Sequence, residues 1–266
     1  MVILMAKRKI RDVVIDADHI LYRVVHSKAH SSEIGGSSLS DSGEDDLEPY
    51  KEHFKQIVED YITIAEVESI FYKWTIGDVR VILSDKTNFR YEIFPEYKKS
   101  RPKSTGLMKQ LKKWARIYYH FEPNTEADDV VAYYVREEGA IGFTEDKDLL
   151  YGVAGKWYNA HYSHQCWVKT NKKNALRFFK QQVLAGDPVD DIPSLAGVGM
   201  ATADKLLNKY GEDWEDIKSI FKDPTKVLGK VNRKQSHNKK YMVTMTRLVC
   251  MSQWSPKKGI VLWEFP

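Results

Sequence analysis

The chain has 266 residues, 42% of them hydrophobic and 12% aromatic, with a formal net charge of +4; this is enough apolar material for one large or two modest cores, which excludes a wholly disordered chain. No apolar run approaches the ~18 residues of a membrane span, and Lys7-Arg8-Lys9 follow the apolar opening stretch, the reverse of a secretory signal. With only Cys166 and Cys250, far apart, neither a disulfide scaffold nor a zinc knuckle is expected, and the composition predicts a soluble protein of a reducing compartment.

In chain order, Val13-Val14-Ile15 reads as a buried strand that closes on Asp16. Residues 31–46 are rich in Ser, Gly and acid with little to bury, and read as a mobile loop. Over 50–67, Phe54, Ile57, Val58, Tyr61 and Ile62 recur at helical spacing. Residues 79–83 form a second β-branched run, soon followed by Asp85. A third apolar run, 117–121, stops at Glu122-Pro123-Asn124. From Thr125 a helix is predicted, with Ala127, Val130, Val131 and Tyr134 facing a core. A fourth run, 140–143, leads into Glu145-Asp146-Lys147-Asp148. Beyond about residue 170 the pattern is helical, over 176–184, 201–210 and 239–250. Alternating strands and helices predict an α/β fold with a parallel sheet. In such a sheet the functional crevice lies beyond the carboxyl ends of the strands, so acids that close strand after strand converge.

The candidate acids are Asp16, Asp85, Glu126, Asp128, Asp129, Asp146, Asp148, Asp187 and Asp190. Gathered together they repel one another and retain protons unless cations offset them. Hard divalent ions, Mg²⁺ first, take such oxygen donors, and two ions ~3.5–4 Å apart are the usual apparatus for hydrolysing a phosphodiester. Each acid also has a plainer reading. Asp128 and Asp129 complement a helix dipole, and Asp187 and Asp190 cap a turn. Repetition at successive element ends favours the metal site. No Gly-x-x-x-x-Gly-Lys-Ser/Thr loop is present, so an ATPase has no support.

Charge is unevenly spread. Residues 97–116 hold eight basic side chains and no acid, and 218–240 hold eight against one acid, leaving the remainder net negative. Two such belts predict a bound polyanion, with a log–log salt slope of about −0.9 for each phosphate contacted. Tyr97, Trp114, Tyr118 and Tyr119 interleave with the first belt and could stack on unpaired bases; for the last three a core stripe is the favoured reading. Gly197-Val198-Gly199, shortly after Gly186-Asp187-Pro188-Val189-Asp190-Asp191, opens a helix. Backbone amides at such a turn bind phosphate without reading sequence.

Val14-Ile15-Asp16, Leu83-Ser84-Asp85, the run from Phe94 to Arg101, Glu126-Ala127-Asp128-Asp129, the run from Thr144 to Asp148, and Gly186-Asp187 through Gly199 stand in unbroken order. With these motifs the chain resembles the flap endonuclease / 5′→3′ exonuclease family, its short phage members above all. The resemblance implies a PIN-like 5′-nuclease core over residues 1–170 with a helical gateway at about 97–116. It also implies a helical DNA-binding region over 171–266, with a helix–hairpin–helix-type motif at about 186–210. By the same resemblance Asp16, Asp85, Glu126 and Asp128 bind the catalytic metal, and Asp129, Asp146, Asp148, Asp187 and Asp190 serve a second one. The ions implied are two Mg²⁺, replaceable by Mn²⁺, with K⁺ at the hairpin motif. Lys98 and Arg101 would join Asp128 in catalysis at the scissile phosphate, and Tyr97 would stack a terminal base. Lys99, Lys103, Gly197, Gly199, Lys205 and Lys234 complete the implied DNA contacts. The chain departs from the family in having Ala17 for glycine, Asp191 for asparagine and a short gateway; the last favours end-on action over threading of a flap.

The expected function is a metal-dependent 5′→3′ exonuclease and structure-specific flap endonuclease. Its partner would be DNA with a 5′ end, flap, nick or gap, or an RNA–DNA hybrid, in phage-type replication or degradation that includes RNA primers. It is expected to act as a monomer without a membrane, in the cytoplasm (of a host cell, if phage-encoded). Two alternatives stay open: a single-strand ribonuclease of a related PIN-like fold, and a non-catalytic DNA-junction-binding module.

Overall fold

A computed structural model describes residues 8–26, 47–193, 195, 197–223, 238–251 and 253–266. The 31–46 stretch, Lys234 and most of the second basic belt lie outside the described residues. The strands are β1 (Lys9–Asp16), β2 (Trp74–Leu83), β3 (His120–Phe121), β4 (Ile141–Thr144), β5 (Gly155–Asn159) and β6 (Cys166–Thr170). They form one sheet in the order β3-β2-β1-β4-β5-β6, parallel except for β6. This is an α/β fold. The sheet begins at β1, steps outward to β2 and β3, then returns to the other side of β1 with β4, so the strand order reverses between β1 and β4. That reversal is where an open α/β sheet leaves a crevice.

Period-two alternation divides the sheet's side chains between two layers. Val13, Ile15, Val81, Leu83, Ile141 and Phe143 face a core built with α1 (Asp18–His26), α2 (Glu48–Tyr72) and α4 (Gly106–Tyr118). Val14 and Ile82 face the opposite core, with α5 (Ala127–Arg136), α6 (Lys147–Gly152) and Trp157. Both faces are covered, so the central strands read as continuous apolar runs. Gly142 lies in this second layer because a Cβ there would stand 2.3 Å from the Trp157 ring.

A third cluster joins α7 (Lys172–Ala185), α8 (Met200–Tyr210), α9 (Trp214–Lys222) and α10 (Lys239–Val249). Tyr97 belongs to it, while Trp254, at the start of the short β7–β8 hairpin (Trp254–Ser255 and Gly259–Ile260), packs with α5 instead. The predicted apolar run at 117–121 is split, because α4 continues through Tyr118 and only His120–Phe121 pair with β2. Helix α3 (Phe89–Ile93) and strands β5 and β6 had no pattern that marked them in advance. Among the described residues no helix is long and apolar enough to cross a membrane.

Candidate active site

Asp16 is the last residue of β1 and Thr144 the last of β4, so the switch point brings them side by side. The Thr144 hydroxyl donates to Asp16 Oδ2 at 2.9 Å, and Oδ1 accepts the Asp18 amide at 3.1 Å. Thr144 Oγ1 in turn accepts the Asp146 amide at 3.0 Å, and Asp146 Oδ1 accepts the Asp148 amide at 2.7 Å, which caps α6. A single threonine, to which the sequence reading gave no role of its own, therefore ties two of the acidic groups together. Glu126 is the N-cap residue of α5 and Asp128 lies in its first turn. The Ser84 hydroxyl at the end of β2 accepts the Ala127 amide at 2.8 Å and seats that helix end on the sheet.

The turn 97–101 closes the site from the side. Lys98 has a left-handed backbone, φ 54°, and its amide donates to the Asp190 carbonyl at 2.9 Å. Its ammonium is paired with Glu126 and lies 3.5 Å from Asp190 Oδ2. Arg101 pairs with the same Asp190, and the Ser100 amide donates to Asp191 Oδ2 at 2.7 Å. Asp191 also has a left-handed φ of 56°, which Asp and Asn tolerate better than most residues. Gly186 cannot be replaced there, since at φ 68° a Cβ would stand 2.5 Å from the Ile192 carbonyl oxygen.

The charges sort into two groups. Against the cost of burial, His19, Thr144 and the Asp18 amide hold the Asp16 carboxyl below its ordinary range. Glu126, also buried, is held down to about 2 by Lys98 and Arg90. Burial and then the charges of Asp146, Asp16 and Glu126 push Asp128 well above its ordinary value. Burial raises Asp146 to about 6, aided by Asp16 and Asp190, and raises Asp148 to about 7, aided by Asp146 and Asp187. Seven carboxylates thus act on one another: Asp16, Glu126, Asp128, Asp146, Asp148, Asp187 and Asp190. Among the described residues no three His, Cys, Asp or Glu side chains already close round one point as a metal cage. The donor set nonetheless fits a hard divalent cation, because it is all oxygen and more anionic than Lys98 and Arg101 can offset.

Two expected roles are corrected. Asp129 is fully buried, bonded to Arg90 at 2.6 and 3.2 Å and to the Gln253 amide at 3.0 Å. Neighbouring helix residues point ~100° apart, so only one of Asp128 and Asp129 can face the crevice. Tyr97 is 2% exposed, with its hydroxyl 2.9 Å from Glu126 and 3.0 Å from Asp190, so no base can stack on it. The expected gateway segment holds α4, which buries Leu107, Leu111 and Ala115 in the main core. Asp85 accepts the amides of Lys86 at 2.6 Å and Asn124 at 2.9 Å, with Arg116 at 3.6 Å.

Asp85 and Glu126 share a cavity of about 990 Å³ whose other walls carry Lys98, Arg101, Lys103, Lys109, Lys112, Lys113 and Arg116. Lys99 is exposed outside it. Trp114 and Tyr119 pack on the core, whereas Tyr118 is exposed. Gly197 and Gly199 are exposed just ahead of α8, and Lys205 is exposed in its middle. Arg90 escaped the sequence reading altogether. Wholly buried, it donates to Glu126 and Asp129 and to the carbonyls of Leu248 and Cys250, both at 2.9 Å. Its local sequence offers no signal, since every partner is distant along the chain.

No family model matches the chain. It is 30% identical over 156 residues to a 5′-3′ exonuclease of Aquifex aeolicus (strain VF5), covering 50% of this chain and 54% of that protein. It is 26% identical over 187 residues to a 5′-3′ exonuclease of Buchnera aphidicola subsp. Acyrthosiphon pisum (strain APS), covering 63% and 64%. The chain spans about half the length of the Aquifex protein. A similar match, 30% over 156 residues, covers 51% of this chain and only 18% of a thermostable DNA polymerase I from Thermus thermophilus. Among solved structures, the fold is similar to a phage T5 protein co-crystallised with metal ions, at TM-score 0.57 and 16% identity over 90% of this chain and 89% of that one. It is also similar to T5 flap endonuclease in a pseudo-enzyme–product complex with DNA and metal ions, at TM-score 0.53 and 16% identity over 90% and 86%.

Proposed function

We propose that the chain belongs to the flap endonuclease / 5′→3′ exonuclease family and is a metal-dependent nuclease hydrolysing DNA phosphodiesters from 5′ ends, a reading that its likeness to 5′-3′ exonucleases supports. The observation that supports this most is the meeting of seven mutually repelling carboxylates with Lys98 and Arg101 at the sheet's switch point, beside a cavity walled by lysine and arginine. Asp16, Asp85, Glu126 and Asp128 would hold one divalent ion, and Asp146, Asp148, Asp187 and Asp190 would serve a second. When bound, Mg²⁺ or Mn²⁺ supplies an activated water and charge stabilisation at the phosphate.

The chain's own residues supply the rest. Lys98 and Arg101 already stand at the acids and are the cations that would donate to the non-bridging oxygens of the scissile phosphate. The cavity would draw in the strand's flanking phosphates by charge, without reading sequence. The exposed backbone at Gly197 and Gly199, with Lys205, would grip duplex backbone, with K⁺ as a further ion there. Substrates with a blunt 5′ end, flap, nick, gap or RNA primer fall within this reading, for a monomer working in the cytoplasm.

The test is cleavage of 5′-labelled blunt and 5′-flap duplexes in Mg²⁺ and in EDTA, with the flap end free or blocked. Nucleotide and short-oligomer release that EDTA abolishes is expected. Intact substrate in Mg²⁺, with salt-sensitive DNA binding preserved, would overturn the enzyme and leave a binding module.

A further inference from the structure

Beside Asp16 stands a pair of side chains that the mechanism above does not use. His19 lies in the first turn of α1, its side chain only 9% exposed. Its Nε2 is 3.0 Å from the hydroxyl of Tyr61, a buried residue of α2. Its Nδ1 is buried without a hydrogen-bond partner and faces Asp16 Oδ2 at 3.5 Å, too long for a full hydrogen bond. The tautomer follows from the neighbours. The Asp16 carboxylate can only accept, so the Nδ1 that faces it carries a proton, and the Tyr61 hydroxyl then donates to Nε2. A neutral imidazole that accepts at Nε2 carries its proton on Nδ1, and the group facing that proton is the Asp16 carboxylate.

We propose that His19 and Tyr61 are a positioning pair for Asp16, in which the tyrosine fixes the imidazole tautomer and the Nδ1–H, with the Thr144 hydroxyl, engages Oδ2 so that Oδ1 is left for a divalent cation. This rests on the metal-site reading above. Carboxylate ligands are oriented by such outer partners, whose loss costs affinity even though they touch no metal. Neither residue touches substrate; both act through Asp16.

The variants are His19→Asn, whose amide nitrogen falls near Nδ1, His19→Gln, whose amide falls near Nε2, and Tyr61→Phe. Mn²⁺ binding to the DNA-free protein is read by electron paramagnetic resonance, and the wild-type tautomer by long-range ¹H–¹⁵N spectra of the imidazole. Expected are an Nδ1-protonated neutral ring, Mn²⁺ binding weakened about tenfold or more in His19→Gln, and near-wild-type binding, within about threefold, in His19→Asn. Turnover should follow the Mn²⁺ affinities while the KM for DNA stays unchanged. Should either His19 variant fail to fold, Tyr61→Phe, which keeps the packing, decides the matter: it should weaken Mn²⁺ binding and mix the tautomers. An Nε2-protonated ring, equal binding by the Asn and Gln variants, or undiminished binding by Tyr61→Phe overturns the pair alone. A wild-type protein that binds no Mn²⁺ overturns the metal site and the pair together.

Discussion

Asp128 and Asp129 are adjacent in sequence and opposite in role. The first adds to the repulsion among the site acids, whereas the second is locked to a buried arginine. Breaking a buried ion pair by removing one partner costs about 3–5 kcal/mol, so Asp129→Ala should lose that much stability in chemical denaturation. Asp128→Asn should keep the fold and DNA binding and abolish cleavage. The raised values of Asp146 and Asp148 carry a further consequence. A carboxyl whose folded value exceeds its ordinary 3.8 binds protons more readily folded than unfolded, so stability falls as pH rises from about 4 through 6 and 7. The metal-free protein should therefore melt lower at pH 8 than at pH 5.5. Asp146→Asn should flatten that slope and raise the pH 8 melting point, by about 2–4 °C for each kcal/mol relieved. A metal-free Asp146→Asn protein that melts lower than wild type at pH 8 would refute the mutual repulsion on which the site is built.

Helix α4 shows how one element serves the core and the cavity at once. Leu107, Leu111 and Ala115 recur every four residues and are buried, while Lys109, Lys112, Lys113 and Arg116 turn to the cavity. Leu111 is fully buried, and its replacement by alanine should cost about 2–5 kcal/mol. A helix standing free of the body as an arch would tolerate that change without loss, so the melting curve separates the two descriptions. Replacing Lys109 and Lys113 together should leave stability nearly unchanged. It should reduce the log–log salt slope of DNA binding by about 0.7–0.9 for each charge that meets a phosphate. The 97–101 turn is fastened to the 187–192 loop through Asp190 and Asp191.

Across the whole molecule the helical third is joined to the sheet through polar as well as apolar contacts. Arg90 donates to the carbonyls of Leu248 and Cys250 at the end of α10 while holding Glu126 and Asp129 on α5. Burial pushes the neighbouring Cys250 thiol up to about 12, whereas Cys166 is exposed. Because the thiolate is the reacting species, Ellman's reagent at pH 8 should titrate one thiol quickly in the native protein and the second only on unfolding. Two fast thiols would mean that the end of α10 is not seated on Arg90.

The α/β class and the convergence of the acids were legible in the sequence, because an apolar run that stops at a carboxylate is a local pattern and a parallel sheet sends every such stop to the same edge. The amphipathic helix from Thr125 and the basic belt at 97–116 were legible for the same reason. What only the tertiary structure decided was which acid faces which way and what each one touches. Whether Asp128 or Asp129 reaches the crevice depends on how α5 is rotated against the sheet. Whether Tyr97 is a stacking platform or a buried strut depends on α7–α10 closing over it. Arg90, Thr144 and His19 gain their roles from partners up to 160 residues away. Periodicity reports the face a residue shares with its own element; burial and ion pairing are set by the elements packed against it, and those meet only in the folded chain.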